Sequence, residues 1–273
     1  MELTCRLGKI EMLLPDASIS YFFIDEDLAE LFKLETNNEA LKLLRKTARE
    51  KIEPNIYKRI GFDYESSAVI IRTTNAETIL EIALVINDLA NVTLSEEEIN
   101  NTKNQLLSHK IPKKQKWKVG DIFQIPLENG TYAFGQVVWK SYTQPVCGLF
   151  DINKTNVPTL EEIMNYPFIS VLSLTPSSLD NHRWKVLGNM QVKIQMEDVP
   201  RKFNGTPCAG AMSFTDGILE DLANAFYGVT PWNVSAEEDY FDRILLPTVK
   251  RPSTAKVLSI SERNIYRKER KWD

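Results

Sequence analysis

The sequence predicts an α+β fold in two parts: an N-terminal α/β domain over residues 1–110, then a mainly-β domain with peripheral helices over residues 116–261. Three observations predict it. Ser/Thr-x-x-Glu boxes at Thr36, Thr74 and Ser95 open helices in the first part, because side-chain and backbone donors cap each other at that spacing. Asn129-Gly130 lies between two runs of alternating apolar residues, the signal of a β-hairpin. A polar helix and the basic run Lys110–Lys116 stand between the halves and place a linker at 111–115.

Taken in order, residues 3–14 and 18–24 read as two strands broken at Pro15 and Asp16, and a short helix follows around Leu28–Leu34. Asp25, Glu26 and Asp27 favour its positive end. The Thr36 box starts a helix to about Ile52, with Leu41, Leu44 and Ala48 inward and Pro54 as its stop. Residues 67–72 form a β-branched strand, and the Thr74 box starts a helix burying Ile79, Ile82, Ala83, Ile86 and Leu89. The Ser95 helix runs to about His109, with Ile99, Leu106 and Leu107 as its apolar anchors.

In the second part, a type I′ turn at Asn129-Gly130 would pair Leu127 with Tyr132, Ile125 with Phe134 and Phe123 with Gln136. Paired residues share a face, so Phe123, Ile125, Leu127, Tyr132 and Phe134 would make one apolar surface. Strands at 145–150 and 168–174 follow, with a helix capped at Thr159 between them. Residues 181–188 and 190–196 read as short extended pieces, 215–226 as a helix stopped by Gly228, and Ser235–Glu238 as another capping box. Residues 255–260 read as a last strand, and 262–273 as a mobile charged tail.

The inventory for chemistry is thin. Cys5, Cys147 and Cys208 show no CxxC spacing, which points to a reducing, cytoplasmic setting and away from disulfides or zinc. His109 and His182 stand in no metal-ligand spacing, and Walker, GxGxxG and GxSxG motifs are absent from the sequence. Gly205–Gly210 carries Pro207 where phosphate-binding amides would be needed. No catalytic, cofactor or metal residue is assigned. No apolar run approaches the ~20 residues that cross a bilayer, and the N-terminus lacks the pattern of a secretion signal.

Charge patterning offers more. The net charge of −4 divides into −6 over residues 1–110 and +2 over 111–273. Residues 204–242 hold no Lys or Arg, while Asp216, Glu220, Asp221, Glu237, Glu238, Asp239 and Asp242 all fall there. A second acidic stretch holds Glu11, Asp16, Asp25, Glu26, Asp27 and Glu30. Fields of one sign steer basic partners. The seven carboxylates of 204–242, with Trp232 as an aromatic anchor, are therefore the candidate partner-binding residues. The same charges also suit the outer faces of amphipathic helices.

The hairpin carries a resemblance. Val119, Gly120, Asp121, Phe123, Ile125, Pro126 and Leu127, then Tyr132, Phe134, Gly135 and Val137, resemble the opening of the Immunity protein 26 family of bacterial polymorphic-toxin systems. Arg183–Asn189 is similar to a later element of the family, and the resemblance extends over about 117–247. It implies a cytoplasmic protein that neutralises a cognate toxin by stoichiometric binding and occlusion, with no chemistry of its own. A nuclease toxin would offer a basic active site for the acidic segments. The alternative is a nucleic-acid-binding module on an SH3-like barrel, presenting Trp117, Trp139 and the Lys113–Lys118 run. A third reading, a hydrolase, would require His182 beside Cys208.

Overall fold

A computed structural model describes residues 3–141, 144–194, 202–203, 206–207, 213–235, 237–270 and 272. The chain divides into two compact units, Met1–Lys113 and Lys114–Asp273. The class is α+β. Every ladder between the strands is antiparallel, and helices cover the sheets. No helix among the described residues is long and apolar enough to cross a membrane.

The first unit contains β1 (Thr4–Leu7), β2 (Ile10–Leu13), β3 (Phe22–Glu26), α1 (Leu28–Phe32), α2 (Asn37–Lys51), α3 (Pro54–Tyr57), β4 (Gly61–Tyr64), β5 (Val69–Thr73), α4 (Ala76–Leu89) and α5 (Glu96–Ser108). Its sheet has the order β1-β2-β3-β5-β4. Residues 3–14 are thus a hairpin turning at Gly8 and Lys9, where one strand was expected. Alternate residues of the strands, such as Leu7, Ile10, Met12, Ile24 and Ile71, meet Leu44, Ile79, Ile82 and Ile86 of α2 and α4 in one core. Each such side chain contributes ~1.5–3 kcal/mol by leaving water. Asn87 of α4 holds the first hairpin: it accepts from Lys9 N at 3.2 Å and donates to Leu7 O at 3.0 Å.

The caps follow local sequence closely. Thr36 accepts from Glu39 N, and Ser95 and Glu98 form a reciprocal box. The cap of α4 is Asn75, one residue beyond the expected Thr74. Leu106 anchors α5, while Leu107 is half exposed because it lies about 100° round the helix from its neighbour.

The second unit contains β6 (Asp121–Pro126), β7 (Tyr132–Ser141), β8 (Gln144–Lys154), α6 (Leu160–Met164), β9 (Phe168–Ser173), α7 (Ser177–Asp180), β10 (Val186–Asn189), β11 (Lys202–Phe203), β12 (Thr206–Pro207), α8 (Gly217–Phe226), α9 (Tyr240–Ile244) and α10 (Ile260–Glu269). The main sheet runs β10-β6-β7-β8-β9, a meander whose last strand returns beside its first. Gln115 helps to place that return: its side chain donates to Leu179 O and Trp184 O and accepts from Val186 N.

The hairpin forms where expected, in a register one residue away. Leu127 N donates to Thr131 O and Gly130 N to Leu127 O, so the loop holds Glu128, Asn129 and Gly130. Only Gly130 is left-handed, at φ +80°. This is a three-residue loop ending in a left-handed glycine, where a two-residue type I′ turn was expected. Asn129 accepts from Thr131 N and Oγ1 at 3.1 and 2.7 Å.

The slip pairs Phe123 with Gly135, Ile125 with Ala133 and Pro126 with Tyr132. It turns Tyr132 and Phe134 away from the face of Phe123, Ile125 and Leu127. Steric fit favours it. The Phe123 ring lies over Gly135, where a Cβ would stand 2.4 Å from Phe123 Cζ. Phe134 is released to a second core. Both faces of the sheet are covered: α8, Trp184 and Trp232 pack on one, and Ile163 of α6 with Phe150 and Phe168 on the other.

Three other expectations change. The Ser235 box does not open a helix; α9 begins after Asp239. Residues 255–258 form no ladder, and Trp232 N donates to Lys256 O at 2.7 Å. Most of the expected mobile tail is α10, opened by a Ser259–Glu262 box whose spacing is visible in the sequence.

Candidate partner-binding surface

The acidic residues of 204–242 lie on the rim of the second unit, positioned by α8 and α9. The apolar face of α8, with Leu219, Leu222, Ala223 and Phe226, is buried against the sheet, which leaves Glu220 and Asp221 toward the rim. Asn224 ties the helix to the hairpin tip by accepting from Glu128 N at 3.0 Å. That bond puts Glu128, which the sequence reading did not single out, beside the α8 carboxylates.

The structure brings arginines from elsewhere in the chain into this acidic field. Arg183 meets Glu220 at 2.6 Å, Arg263 meets Glu238 at 3.6 Å, and Arg270 meets Glu128 at 3.4 Å. Arg243 pairs with Glu237 and lies 3.6 Å from Asp239. The absence of cations from 204–242 therefore overstates the field. Glu237, Glu238 and Asp239 keep side chains more than half exposed, and such solvated pairs contribute little to stability.

Two of the seven candidate carboxylates serve the fold. Asp216 accepts from Ser178 N at 2.5 Å and Thr175 Oγ1 at 2.8 Å, which fixes the start of α7. Asp242 accepts from Trp232 Nε1 at 3.0 Å and pairs with Arg251. Burial would raise the Asp242 carboxyl, but hydrogen bonds from Arg251 and Trp232 outweigh it and hold it below its ordinary value. Trp232 corrects the sequence reading most clearly. It is 1% exposed, packed among Phe226, Phe241 and the Arg251 guanidinium, so its ring lies beneath the surface where an exposed anchor was expected.

Asp221 differs from the other six. It is exposed and makes no hydrogen bond or ion pair among the described residues. Withdrawal of water from its carboxyl, then the charges of Glu220 and Glu128, push its pKa up to about 6, against the opposing pull of Arg183 and Arg270.

His182 is exposed in a left-handed turn at φ +65°, and Cys208 and most of Gly205–Gly210 lie outside the described residues. Cys147 is buried; desolvation, then the charge of Asp216, raise its thiol well above the thiolate range. No three His, Cys, Asp or Glu side chains among the described residues stand together as a metal site would require. Of the expected nucleic-acid face, Trp117 Nε1 donates to Asp180 at 2.9 Å and is engaged internally, while Lys114 pairs with the same carboxylate at 2.8 Å and keeps its side chain more than half exposed.

No curated protein and no solved structure matches the chain. One family model does, over a segment that ends short of the expected 247 and before α8. Residues 118–209, which hold all five strands of the second unit's main sheet, match the Immunity protein 26 family, and this match supports an immunity-protein role.

Proposed function

We propose that the chain is a bacterial cytoplasmic immunity protein that neutralises a cognate toxin of a polymorphic-toxin system by stoichiometric binding and occlusion. The observation that carries this reading is the match of residues 118–209 to Immunity protein 26. The solvated carboxylates Asp221, Glu237, Glu238 and Asp239 support a basic contact surface on the toxin. A nuclease, whose active site must hold phosphates, would supply one. Trp117, committed to Asp180, weighs against the nucleic-acid module.

The test is a titration of the cognate toxin. Inhibition should be complete at one immunity molecule per toxin, and the pair should co-elute as one complex. Inactivation of many toxin molecules by one copy would replace occlusion with catalysis. Failure to bind, joined to salt-sensitive binding of random oligonucleotides, would favour the nucleic-acid module.

A further inference from the structure

One side of α2 carries four cations without acidic partners. Lys42, Arg45, Lys46 and Arg49 recur at i, i+3, i+4 and i+7, the spacing of a single helical face. With Glu50 they line an open groove of about 350 Å³. Elsewhere in this unit Lys51 pairs with Asp88 and Arg72 with Asp63, but none of the four makes an ion pair among the described residues. The arginines are held in place. Arg45 donates to Phe62 O at 3.2 Å and lies 5.3 Å over that ring; Arg49 donates to the Tyr57 hydroxyl at 3.2 Å and lies 5.6 Å over its ring. Lys42 and Lys46 are exposed, with no hydrogen bond among the described residues. This basic stripe stands in a region whose net charge is −6.

We propose that this groove is a docking surface for an acidic segment of a partner protein. The groove is open, so a small ligand would keep much of its surface in water, whereas small-molecule sites bury most of theirs. Single-stranded nucleic acid needs exposed rings for its bases, and the rings of Tyr57 and Phe62 are covered by arginine. A phosphate chain is anionic at every unit and has no cation to set against Glu50 in the lining. A peptide suits the mixture, because carboxylates can take the arginine forks and lysines while a flanking cation meets Glu50. The proposal concerns the first unit and does not depend on the immunity reading of the second.

The test uses the full chain and a fluorescein-labelled peptide of glutamates flanked by one lysine, read by anisotropy beside single-stranded and duplex oligonucleotides carrying the same label. The double substitution Lys42→Glu/Lys46→Glu should leave the circular dichroism spectrum unchanged and weaken peptide binding at least about tenfold. Lys103→Glu, at an exposed lysine of α5, should leave binding unchanged. Raising salt from about 50 to about 500 mM should release the peptide. Peptide that does not bind the wild type, or binds the double variant equally well, would overturn the proposal. Tighter binding of either oligonucleotide would also overturn it and assign the groove to nucleic acid. So would self-association abolished by the double variant, which would make the occupant a second copy.

Discussion

Phe123 and Trp184 stack face to face inside the second unit, with ring centroids 5.1 Å apart and planes 4° from parallel. Trp184 is 1% exposed, and its indole N–H has no hydrogen-bond partner among the described residues. The ring is held by packing alone, at the cost of an unpaired buried donor. Trp184→Ala should therefore lower unfolding free energy by ~3–5 kcal/mol. Trp184→Phe, which keeps a ring over Phe123 and removes the donor, should cost less than half as much. Urea denaturation monitored by circular dichroism reads both, and equal losses would show that the stack does not hold this core.

The same stack constrains the hairpin. A methyl at position 135 would stand 2.4 Å from Phe123 Cζ, so Gly135→Ala should cost ~1–3 kcal/mol by overpacking. Gly130→Ala meets nothing within 4 Å but must hold φ +80°, and should cost ~1–2 kcal/mol from backbone conformation alone. Shortening the Phe123 side chain should rescue Gly135→Ala in part, since the Gly148 carbonyl oxygen also stands 2.9 Å from that methyl, and leave Gly130→Ala unrescued. A double-mutant cycle separates the two causes.

Asp221 predicts a pH dependence. Its folded-state pKa of about 6 is above the ordinary carboxylate value, so the native state holds this proton more tightly than the unfolded chain. The penalty is absent below ~4, grows as pH rises, and is complete above ~6. Asp221→Asn should therefore stabilise the protein at neutral pH and not at pH ~4. The residue is exposed, so solvent screening limits the gain to about 1 kcal/mol. Thermal melts of both proteins across this range read the difference, and a gain independent of pH would rule out the carboxyl as its source.

Toxin binding should discriminate among the carboxylates. Glu237→Lys/Glu238→Lys should slow association about tenfold at low salt and much less at high salt, because exposed charges act on the encounter. Asp242→Ala should instead lower thermal stability, since it leaves Trp232 Nε1 buried and Arg251 without its partner. Stopped-flow association and a melting curve on each variant measure the two effects. Fast, salt-independent binding by the Glu237/Glu238 variant would remove this surface from the toxin interface.

Removal of α10 should be tolerated. The helix has no buried residue and is attached through bonds such as Arg267 to Val234 O and Arg270 to Glu128. Truncation after Ser259 should shift the melting temperature by less than ~8 °C. In the intact chain, Arg270→Gln should raise the Asp221 pKa further, because that charge now lowers it. Nuclear magnetic resonance titration of the Asp221 carboxyl would detect the change; a fall would contradict this account of the charges around it.

Local chemistry made much of this fold legible. Thr36, Ser95 and Thr159 cap the helices expected of them, since a cap needs only three or four consecutive residues. Asn129-Gly130 located the hairpin, and residues 119–137 carried the family likeness. The register was not legible there, because the same two residues serve two-residue and three-residue loops. Tertiary packing chose between them: Phe123 fits over Gly135, and Phe134 has a second core to enter. The arginines paired with the acidic residues were not legible for a related reason. Local sequence shows which charges are neighbours along the chain, but Arg183, Arg263 and Arg270 reach it only through the fold. Helix caps, turns and charge content are properties of short segments, so the sequence by itself determined them. Register, burial of Trp232 and neutralisation of the carboxylates depend on contacts between distant segments, and only the tertiary structure decided those.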